Sequence, residues 1–228
     1  MTELMFHGHA CFSLSDGNHS LLFDPFISGN PRAIVSVDDV QTDYVLLTHG
    51  HVDHIADALP IASRCDATII ASFELAKYFE RQGAKVHDMG IGGAYSFPFG
   101  RVKLTQATHG SAFISENGAI EYLGNPSGIV VGFDGKTFYN TGDTGLFGDM
   151  TLIGRREKPD VVILPIGDNY TMGIDDAVEA VRMIEADIVI PVHYNTFPVI
   201  EQDPIEFQEK VGDMADCILL QPGESVQL

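Results

Sequence analysis

Short apolar runs and helical patterns alternate along the chain, and Gly, Pro, Asp and Asn residues separate them. The apolar runs have the length of strands, and several are rich in β-branched residues. They predict strands at residues 6–14, 20–23, 44–47, 68–71, 102–108, 128–133, 136–140, 161–164, 188–192 and 217–220. The dipeptide Asp134-Gly135 separates two of these runs and predicts a tight hairpin.

Apolar residues at helical spacing fill several of the intervals between the predicted strands. They predict helices within residues 55–62, 72–83, 174–184 and 204–212. Strands and helices thus alternate in both halves of the chain, with the second half starting near Tyr122. Two sheets covered by outer helices would bury all of these apolar faces. We therefore expect an α/β (α+β) protein with a single domain over residues 1–228.

The composition is that of a globular protein, with 45% apolar and 20% charged residues in a chain of 228. No apolar run approaches the roughly 20 residues that a membrane span needs. The amino-terminal residues have neither a basic segment nor a long apolar segment, so the sequence predicts no signal peptide. We expect a cytoplasmic protein with no membrane partner.

The chain is strongly acidic, with 32 Asp and Glu against 13 Lys and Arg and a net charge of −19. Nucleic acid is a poor partner for such a surface because phosphate binding depends on cationic side chains. Cys11, Cys65 and Cys217 lack metal-binding spacing, which predicts reduced and mostly buried thiols. The acidic surface, with no added domain, favours a small-molecule substrate and no nucleic-acid partner.

Three histidines and one aspartate lie within six positions, in the pattern H-x-H-x-D-H. They are His49, His51, Asp53 and His54. This segment follows the predicted strand 44–47, and loops at the carboxyl ends of strands are where open α/β sheets place their sites. Imidazole and carboxylate groups suit a divalent ion such as zinc. The segment, which we call the histidine loop, therefore predicts a metal site.

Three further candidate ligands also follow the ends of predicted strands. They are His109, Asp143 and His193, after the strands predicted at 102–108, 136–140 and 188–192. A single histidine in such a position is more often an ordinary buried side chain. The repeated placement at strand ends, together with the histidine loop, favours one metal centre with seven candidate ligands.

These segments resemble the metallo-β-lactamase superfamily, whose motif order the chain follows over about residues 6–200. Within that superfamily the chain is most similar to small, uncharacterised metal-dependent hydrolases related to L-ascorbate-6-phosphate lactonase. The segments that carry the resemblance are residues 7–12, 24–26, 29–31, 49–54, 142–150, 165–173 and 193–198. The resemblance implies an αββα four-layer sandwich with the metals in a groove at one edge.

The resemblance also implies how the ligands divide between two divalent ions. It assigns His49, His51 and His109 to one ion, Asp53, His54 and His193 to the other, and Asp143 to a bridge between them. In such enzymes a metal-bridging hydroxide attacks a small-molecule ester, lactone or phosphoester. Asp53 is then the proton acceptor, so Asp53 and Asp143 are the expected catalytic residues. The flavodiiron branch has Glu where His51 stands, so His51 favours hydrolysis over redox chemistry.

Four more residues are candidates for a place around the metals or the substrate. Asp24 either orients the histidine loop through hydrogen bonds or belongs to the turn before a proline. His9 either approaches the site or packs in the first strand. Asp168 either reaches the site or forms an Asx turn. Asn195 follows a candidate ligand, so we expect it to line the pocket.

The ligand types leave the metal open: we expect zinc, with manganese, iron and nickel as alternatives. Related hydrolases often assemble, so the resemblance implies a homo-oligomer, which the residues themselves leave open. Two other functions compete with the small-molecule hydrolase. One is a superfamily nuclease, which would need a basic surface or an added RNA-binding domain. The other is a metal-binding scaffold without turnover.

Overall fold

A computed structural model describes residues 1–115 and 117–228 of the chain. Its strands are β1 (Glu3–Gly8), β2 (Cys11–Ser15), β3 (Ser20–Phe23), β4 (Tyr44–Leu46), β5 (Thr68–Ser72), β6 (Lys85–Met89), β7 (Ala94–Phe97), β8 (Gly100–Gln106), β9 (Ala112–Ile114), β10 (Ile120–Tyr122), β11 (Ser127–Phe133), β12 (Lys136–Asn140), β13 (Val161–Pro165), β14 (Ile188–Val192), β15 (Asp216–Cys217) and β16 (Ser225–Gln227). Its α-helices are α1 (Val52–Ile55), α2 (Ala58–Cys65), α3 (Phe73–Glu80), α4 (Met150–Glu157), α5 (Ile174–Ile184) and α6 (Pro204–Val211). Among the described residues, no helix is long and apolar enough to cross a lipid bilayer.

The chain divides into two compact units, each made of separate stretches of sequence. The first unit comprises Met1–Ile91, Gly110–Pro126 and Gln221–Leu228. The second unit comprises Gly92–His109 and Ser127–Leu220. Each unit contains one seven-stranded sheet. The prediction of a single domain over residues 1–228 stays a prediction.

The sheet of the first unit has the strand order β16-β1-β2-β3-β4-β5-β6. Strands β3 to β6 pair in parallel, whereas β1 and β3 are each antiparallel to β2. Because β1 and β3 therefore run in the same direction, the carboxyl ends of β1, β3 and β4 share one edge of the sheet. The short pair β9–β10 forms a separate two-stranded sheet in this unit.

The core of the first unit packs helices α2 and α3 on the parallel strands. Both helices have one apolar face, as the spacing of their apolar residues predicts. The cluster includes Ala58, Ala62, Leu75, Ala76 and Phe79 from the helices and Val45, Ile69 and Ala71 from the strands. This packing fixes the strand ends from which the histidine loop departs.

The sheet of the second unit has the strand order β15-β14-β13-β12-β11-β8-β7. Strands β12 to β15 pair in parallel, and β11 is antiparallel to both β12 and β8. Strands β8, β12, β13 and β14 consequently run in the same direction, so their carboxyl ends share one edge. Helix α5 packs its apolar face on this sheet, with Ala177, Ala180, Val181 and Ile184 in one cluster with Val162, Leu164 and Val189.

The predicted hairpin at Asp134-Gly135 is confirmed, since β11 and β12 flank these two residues. Their φ angles are +47° and +80°, which is the left-handed backbone that a tight hairpin turn requires. The predicted cap of the last helix is also confirmed, because the Asp203 carboxylate accepts a hydrogen bond from the Ile205 amide. Its Pro204 occupies the first turn.

Two predicted strands were wrong in extent. The run 6–14 is two strands, because Gly8 and His9 adopt positive φ and the chain reverses between β1 and β2. Of the predicted strand 217–220, only Cys217 pairs in the sheet. Residues 218–220 are at least partly buried but do not continue the strand pairing. Apolar character alone does not distinguish such a buried segment from a strand.

Candidate metal centre

The histidine loop changes from extended to helical backbone halfway along its length. His51 is extended, with φ −70° and ψ 148°, and directly precedes helix α1. Asp53 and His54 lie within that single helical turn, and the His54 amide donates to the His51 carbonyl at 3.0 Å. An extended stretch carrying His49 and His51, followed by a tight turn carrying Asp53 and His54, presents four ligand groups from six residues.

Asp24 accepts hydrogen bonds from the histidine loop, and its role in orienting metal ligands stays a prediction. Its buried carboxylate accepts from the Thr48 amide at 2.8 Å, the Thr48 hydroxyl at 2.8 Å and His54 Nδ1 at 3.1 Å. Because a carboxylate only accepts, the proton of His54 resides on Nδ1 and the lone pair on Nε2. A carboxylate behind a histidine in this way is the arrangement that fixes metal-binding histidines.

Thr48 links Asp24 to His49 through its hydroxyl group. The Thr48 hydroxyl donates to Asp24 and lies 3.0 Å from His49 Nδ1, so that nitrogen is the donor of the second hydrogen bond. His49 Nε2 then carries the lone pair and lies 2.9 Å from His51 Nδ1. Two nitrogens bound to one ion by bonds of about 2.0–2.1 Å lie roughly 3 Å apart, so this spacing fits ligands of a shared ion.

His9 lies beside the acidic residue of the loop. Its Nε2 is 3.0 Å from Asp53 Oδ2, and its side chain is buried whereas that of Asp53 is 27% exposed. Ligand atoms of His9, Asp53 and His54 all lie within 4.8 Å of one another. His9 thus lies beside predicted ligands of the first unit, and its part in the site stays a prediction.

In the second unit, Asp143 lies between two histidines. Its Oδ2 is 3.1 Å from His193 Nε2 and 3.6 Å from His109 Nε2. The three residues follow β12, β14 and β8, whose carboxyl ends share one sheet edge. One oxygen of Asp143 is thus near two imidazole nitrogens, and the bridging role expected for Asp143 stays a prediction.

Backbone hydrogen bonds hold the two loops that carry Asp143 and His109 together. The Thr108 amide donates to Thr144 Oγ1 at 2.9 Å, and the Gly145 amide donates to the Thr108 carbonyl at 3.0 Å. Asn140 Oδ1 accepts from the Gly142 amide at 3.0 Å, which shapes the turn before Asp143. Thr144 and Asn140 are positioning residues that the sequence analysis missed, because single threonines and asparagines carry no periodic signal.

Several residues after the strands adopt left-handed backbone conformations that side chains usually avoid. His9 has φ +60°, Asp24 has φ +42° and His193 has φ +55°. Such conformations cost about 1–3 kcal/mol each and persist where the surrounding structure enforces them. The same conformation occurs at helix ends and the hairpin turn, at Asp66, Asp134 and Lys158, so at the candidate site residues it shows only that the loops after these strands turn sharply.

The structure places Asp168 and Asn195 in loops of the second unit. Asp168 is exposed, and its carbonyl accepts from the Thr171 amide at 2.9 Å, so it belongs to a tight turn after β13. Asn195 Oδ1 accepts from the Gln202 amide at 2.8 Å and so stabilises the loop after β14. These bonds give both residues a structural role, and their contact with substrate stays a prediction.

Three other residues brace the ligand-bearing loops of the first unit and were not predicted. Asp57 accepts from the amides of Ile27 and Ser28 at 2.6 and 2.9 Å, which anchors the loop after Asp24 to helix α2. Ser111 Oγ accepts from the Gly50 amide at 3.0 Å, and Leu123 packs against Gly50 from the same side. A lone serine or aspartate has no sequence signature, so only its contacts reveal such a role.

The cysteines fit the prediction of reduced, mostly buried thiols. Cys11 and Cys217 are buried, and Cys65 is partly exposed. Burial raises the pKa of the Cys217 thiol to about 12, and burial also raises the pKa of Cys11. Neither thiol is therefore ionised near neutral pH, and neither is suited to act as a nucleophile.

The donor atoms in each unit fit a divalent cation. The first unit offers imidazole nitrogens backed by a buried carboxylate, together with the partly exposed carboxylate of Asp53. The second unit offers two imidazoles on either side of Asp143. Zinc and similar ions bind this mixture of nitrogen and oxygen ligands. All four predicted ligands of the first unit, and all three of the second, thus lie close to at least one other predicted ligand of the same unit.

Comparisons with known proteins agree with this chemistry. Residues 19–194 match the profile of the beta-lactamase superfamily domain. The chain is 50% identical to UPF0173 metal-dependent hydrolases from Pelotomaculum thermopropionicum and from Staphylococcus aureus, over 99% of this chain and 100% and 99% of theirs. Among solved structures it is similar to Igni18, a metallo hydrolase from Ignicoccus hospitalis, with 36% identity, a TM-score of 0.90, and coverage of 99% of this chain and 97% of that one.

The similarity extends over nearly the full length of these relatives, so it includes the histidine loop and the later ligands alike. The expected metallo-β-lactamase fold, mixed α/β with two large sheets, is confirmed by the fold that the chain shares with Igni18. The His and Asp clusters described above supply the ligands that a metal-dependent enzyme needs. The chain belongs to the metallo-β-lactamase superfamily and is a metal-dependent hydrolase.

Proposed function

We propose that this hydrolase uses two divalent ions, with zinc as the expected metal, to cleave a small-molecule ester, lactone or phosphoester. The proposed ligands are His49, His51 and His109 for one ion, Asp53, His54 and His193 for the other, and Asp143 for both. A bound divalent ion lowers the pKa of water towards neutrality and stabilises negative charge on a reacting oxygen. We further propose that the chain is related to L-ascorbate-6-phosphate lactonase.

The orientation of the histidine loop by Asp24 is the observation that carries this proposal. Three hydrogen bonds to one buried carboxylate fix Thr48 and His54, and Thr48 fixes His49. Burying a charged carboxylate costs free energy, and these hydrogen bonds compensate for it. The same bonds hold the imidazoles in one orientation, as carboxylates behind metal-binding histidines do.

Asp53 and His9 are the groups that we expect to handle protons. Asp53 keeps 27% of its side chain exposed, so its carboxylate can meet both a water molecule and a substrate. His9 Nε2, at 3.0 Å from Asp53 Oδ2, holds the carboxylate in one orientation. Asp53 accepts the proton of the attacking water, and proton transfer of this kind contributes about 10²–10⁴-fold to rate.

The acidic surface supports a small substrate rather than a polyanion. With a net charge of −19, the chain repels polyanions, and this favours the hydrolase over the nuclease alternative. We also propose, from the resemblance, that the protein resides in the cytoplasm and assembles into a homo-oligomer.

The test is hydrolysis of a panel of esters, lactones and phosphoesters by the metal-loaded protein and by Asp53→Asn. We expect turnover on at least one class, and a loss of about 10²–10⁴-fold in kcat for the variant when both proteins are compared at equal metal content, because Asp53 is also a proposed ligand. Asp213→Asn, a change at an exposed aspartate outside both ligand sets, is the matched control and should leave kcat unchanged. Equal turnover by Asp53→Asn and the parent protein would refute the role of Asp53.

Metal that binds stably without turnover on any class would favour the scaffold alternative instead. Binding of RNA that weakens steeply with salt would favour the nuclease alternative. Circular dichroism on the same samples distinguishes both outcomes from a protein that has failed to fold.

A further inference from the structure

The pair β9–β10 presents apolar side chains on both of its faces. One face carries Phe113, whose ring lies 5.7 Å from that of Tyr78 on α3, and Glu121, which pairs with Arg81. This face packs on the first unit. The opposite face carries Ala112, Ile114, Ile120 and Tyr122, because residues two apart on a strand share a face.

The second face is exposed although it is apolar. Ile114, Ile120 and Tyr122 are 64%, 73% and 65% exposed, and Ile114 pairs directly with Ile120 across the two strands. A two-stranded sheet with one buried face normally has polar residues on the other. Contiguous exposed apolar side chains often mark a binding surface. We call this face the apolar stripe.

The base of the pair is fastened to the middle of the histidine loop. Ser111 accepts from the Gly50 amide, and the Leu123 side chain packs so closely that a Cβ on Gly50 would lie 2.6 Å from it. The Leu123 amide also donates to the Ser111 carbonyl at 3.0 Å, which closes the base of the pair. The stripe is therefore held in a fixed position relative to His49 and His51.

The stripe begins close to His51. A Cβ on Gly110 would lie 3.5 Å from His51 Nε2, so the chain passes next to that nitrogen. Strand β9, which carries Ala112 and Ile114, begins two residues after Gly110. At no more than about 3.3 Å per residue, Ile114 lies within roughly 14 Å of Gly110.

We propose that the apolar stripe binds the apolar part of the substrate whose reacting group lies at the metal centre. This inference rests on the proposed function and deepens it: the substrate class is an ester or lactone with an uncharged aliphatic or aryl group. A phosphorylated substrate does not fit a surface of three exposed apolar side chains in a chain of charge −19. The Tyr122 ring is held for this contact, since its hydroxyl donates to Asn125 Oδ1 at 2.7 Å.

The test is binding of the carboxylates acetate, butyrate, hexanoate and octanoate to the metal-loaded protein, by titration calorimetry. We expect Kd to fall with each added methylene, by up to about fourfold where the methylene is fully buried. In the double variant Ile114→Thr/Ile120→Thr this dependence on length should disappear, while acetate binds as before. Threonine keeps the β-branched shape, so the strands should still form.

Ile205→Thr is the matched control, because it removes an apolar side chain that is 50% exposed on α6 in the second unit. It should keep the dependence on length. A Kd that is equal for all four carboxylates in the parent protein would overturn this inference and leave the proposed function intact. Failure of every carboxylate to bind, acetate included, would overturn both.

The same samples distinguish a substrate surface from a contact between copies of the chain. If the double variant is smaller than the parent in size-exclusion chromatography and the length dependence is unchanged, the stripe is a subunit contact and the inference is wrong. Kinetics on p-nitrophenyl esters of the same four acids supply the second readout. We expect kcat/KM to rise with acyl chain length in the parent protein and in Ile205→Thr. In the double variant, kcat/KM should not change with chain length.

Discussion

Asp24 determines which ring nitrogens of the histidine loop can bind a metal. Its carboxylate has no proton to give, so every neighbour that bonds to it must be a donor. His54 and Thr48 satisfy that requirement, and Thr48 in turn makes His49 a donor through Nδ1. One residue thus sets the tautomers of two histidines, although it follows a different strand from either of them.

Replacing that carboxylate by an amide should weaken metal binding without unfolding the protein. In Asp24→Asn the side-chain NH₂ faces hydrogen-bond donors of Thr48 or His54, so at least one hydrogen bond is lost. The His54 ring is then no longer held with its proton on Nδ1. We expect metal affinity to fall about 10–100-fold, measured by competition with a chromophoric chelator. Asp16→Asn is the control, because Asp16 accepts from backbone amides in an exposed turn and should leave affinity unchanged.

Gly50 is required by a close approach rather than by its backbone angle. A Cβ at this position would lie 2.6 Å from Leu123 Cδ1 and 2.8 Å from Leu123 Cβ. Gly50→Ala should therefore lower the free energy of unfolding by about 1–3 kcal/mol and shift the loop that carries His49 and His51. Urea denaturation measures the first effect and metal titration the second.

Two further variants make the Gly50 prediction specific. Gly90→Ala adds the same methyl group where no atom lies within 4 Å and should change the free energy of unfolding by less than about 0.5 kcal/mol. Gly50→Ala/Leu123→Ala relieves the clash and should regain part of the lost metal affinity. Equal affinity in Gly50→Ala and its double variant would show that Leu123 is not the cause.

At the scale of elements, α4 is joined to β8 by an ion cluster. Glu157 at the end of α4 accepts from Lys103 at 2.5 Å and from Arg101 at 3.2 Å. Burial alone would raise the pKa of Glu157, but the hydrogen bonds from Lys103 and Arg101 outweigh it and lower the pKa below the ordinary 4.5. The cluster consequently stabilises the fold only while Glu157 is ionised.

The sign of the pH dependence follows from that lowered pKa. The stabilisation is complete well above pH 4.5, where Glu157 is ionised in both folded and unfolded chains, and it is lost as pH falls below that value. Glu157→Gln should cost about 1 kcal/mol at pH 7, and the difference from the parent should shrink towards pH 3.5. Urea denaturation at the two pH values tests this, and a difference that is constant with pH would contradict it.

The elements that the sequence predicted well have strong local signals. The hairpin of β11 and β12 was predictable from Asp134-Gly135, and α5 from the spacing of its apolar residues. Strands β7 and β10 are largely exposed, so they lack the alternation that burial produces. Their pairing depends on the neighbouring strand, which no local pattern of apolar residues reveals.

At the scale of the molecule, the candidate ligands were predictable because the same rule places all of them. Each follows a strand, and in each unit the strands concerned end at one edge of a sheet. The residues that brace the ligands were not predictable, since Thr48, Asp57 and Ser111 act through a few hydrogen bonds to residues elsewhere in the chain. Such bonds become visible only when residues distant in sequence are brought together.

The number of divalent ions per chain tests the account most directly. The measurement is metal content by mass spectrometry on untagged protein, beside Asp143→Asn, with Asp213→Asn as control. The account predicts about two ions per chain in the parent and the control, and fewer in Asp143→Asn, because Asp143 is the proposed shared ligand. No bound ion after reconstitution with zinc, manganese and iron, or two ions retained in Asp143→Asn, would contradict it.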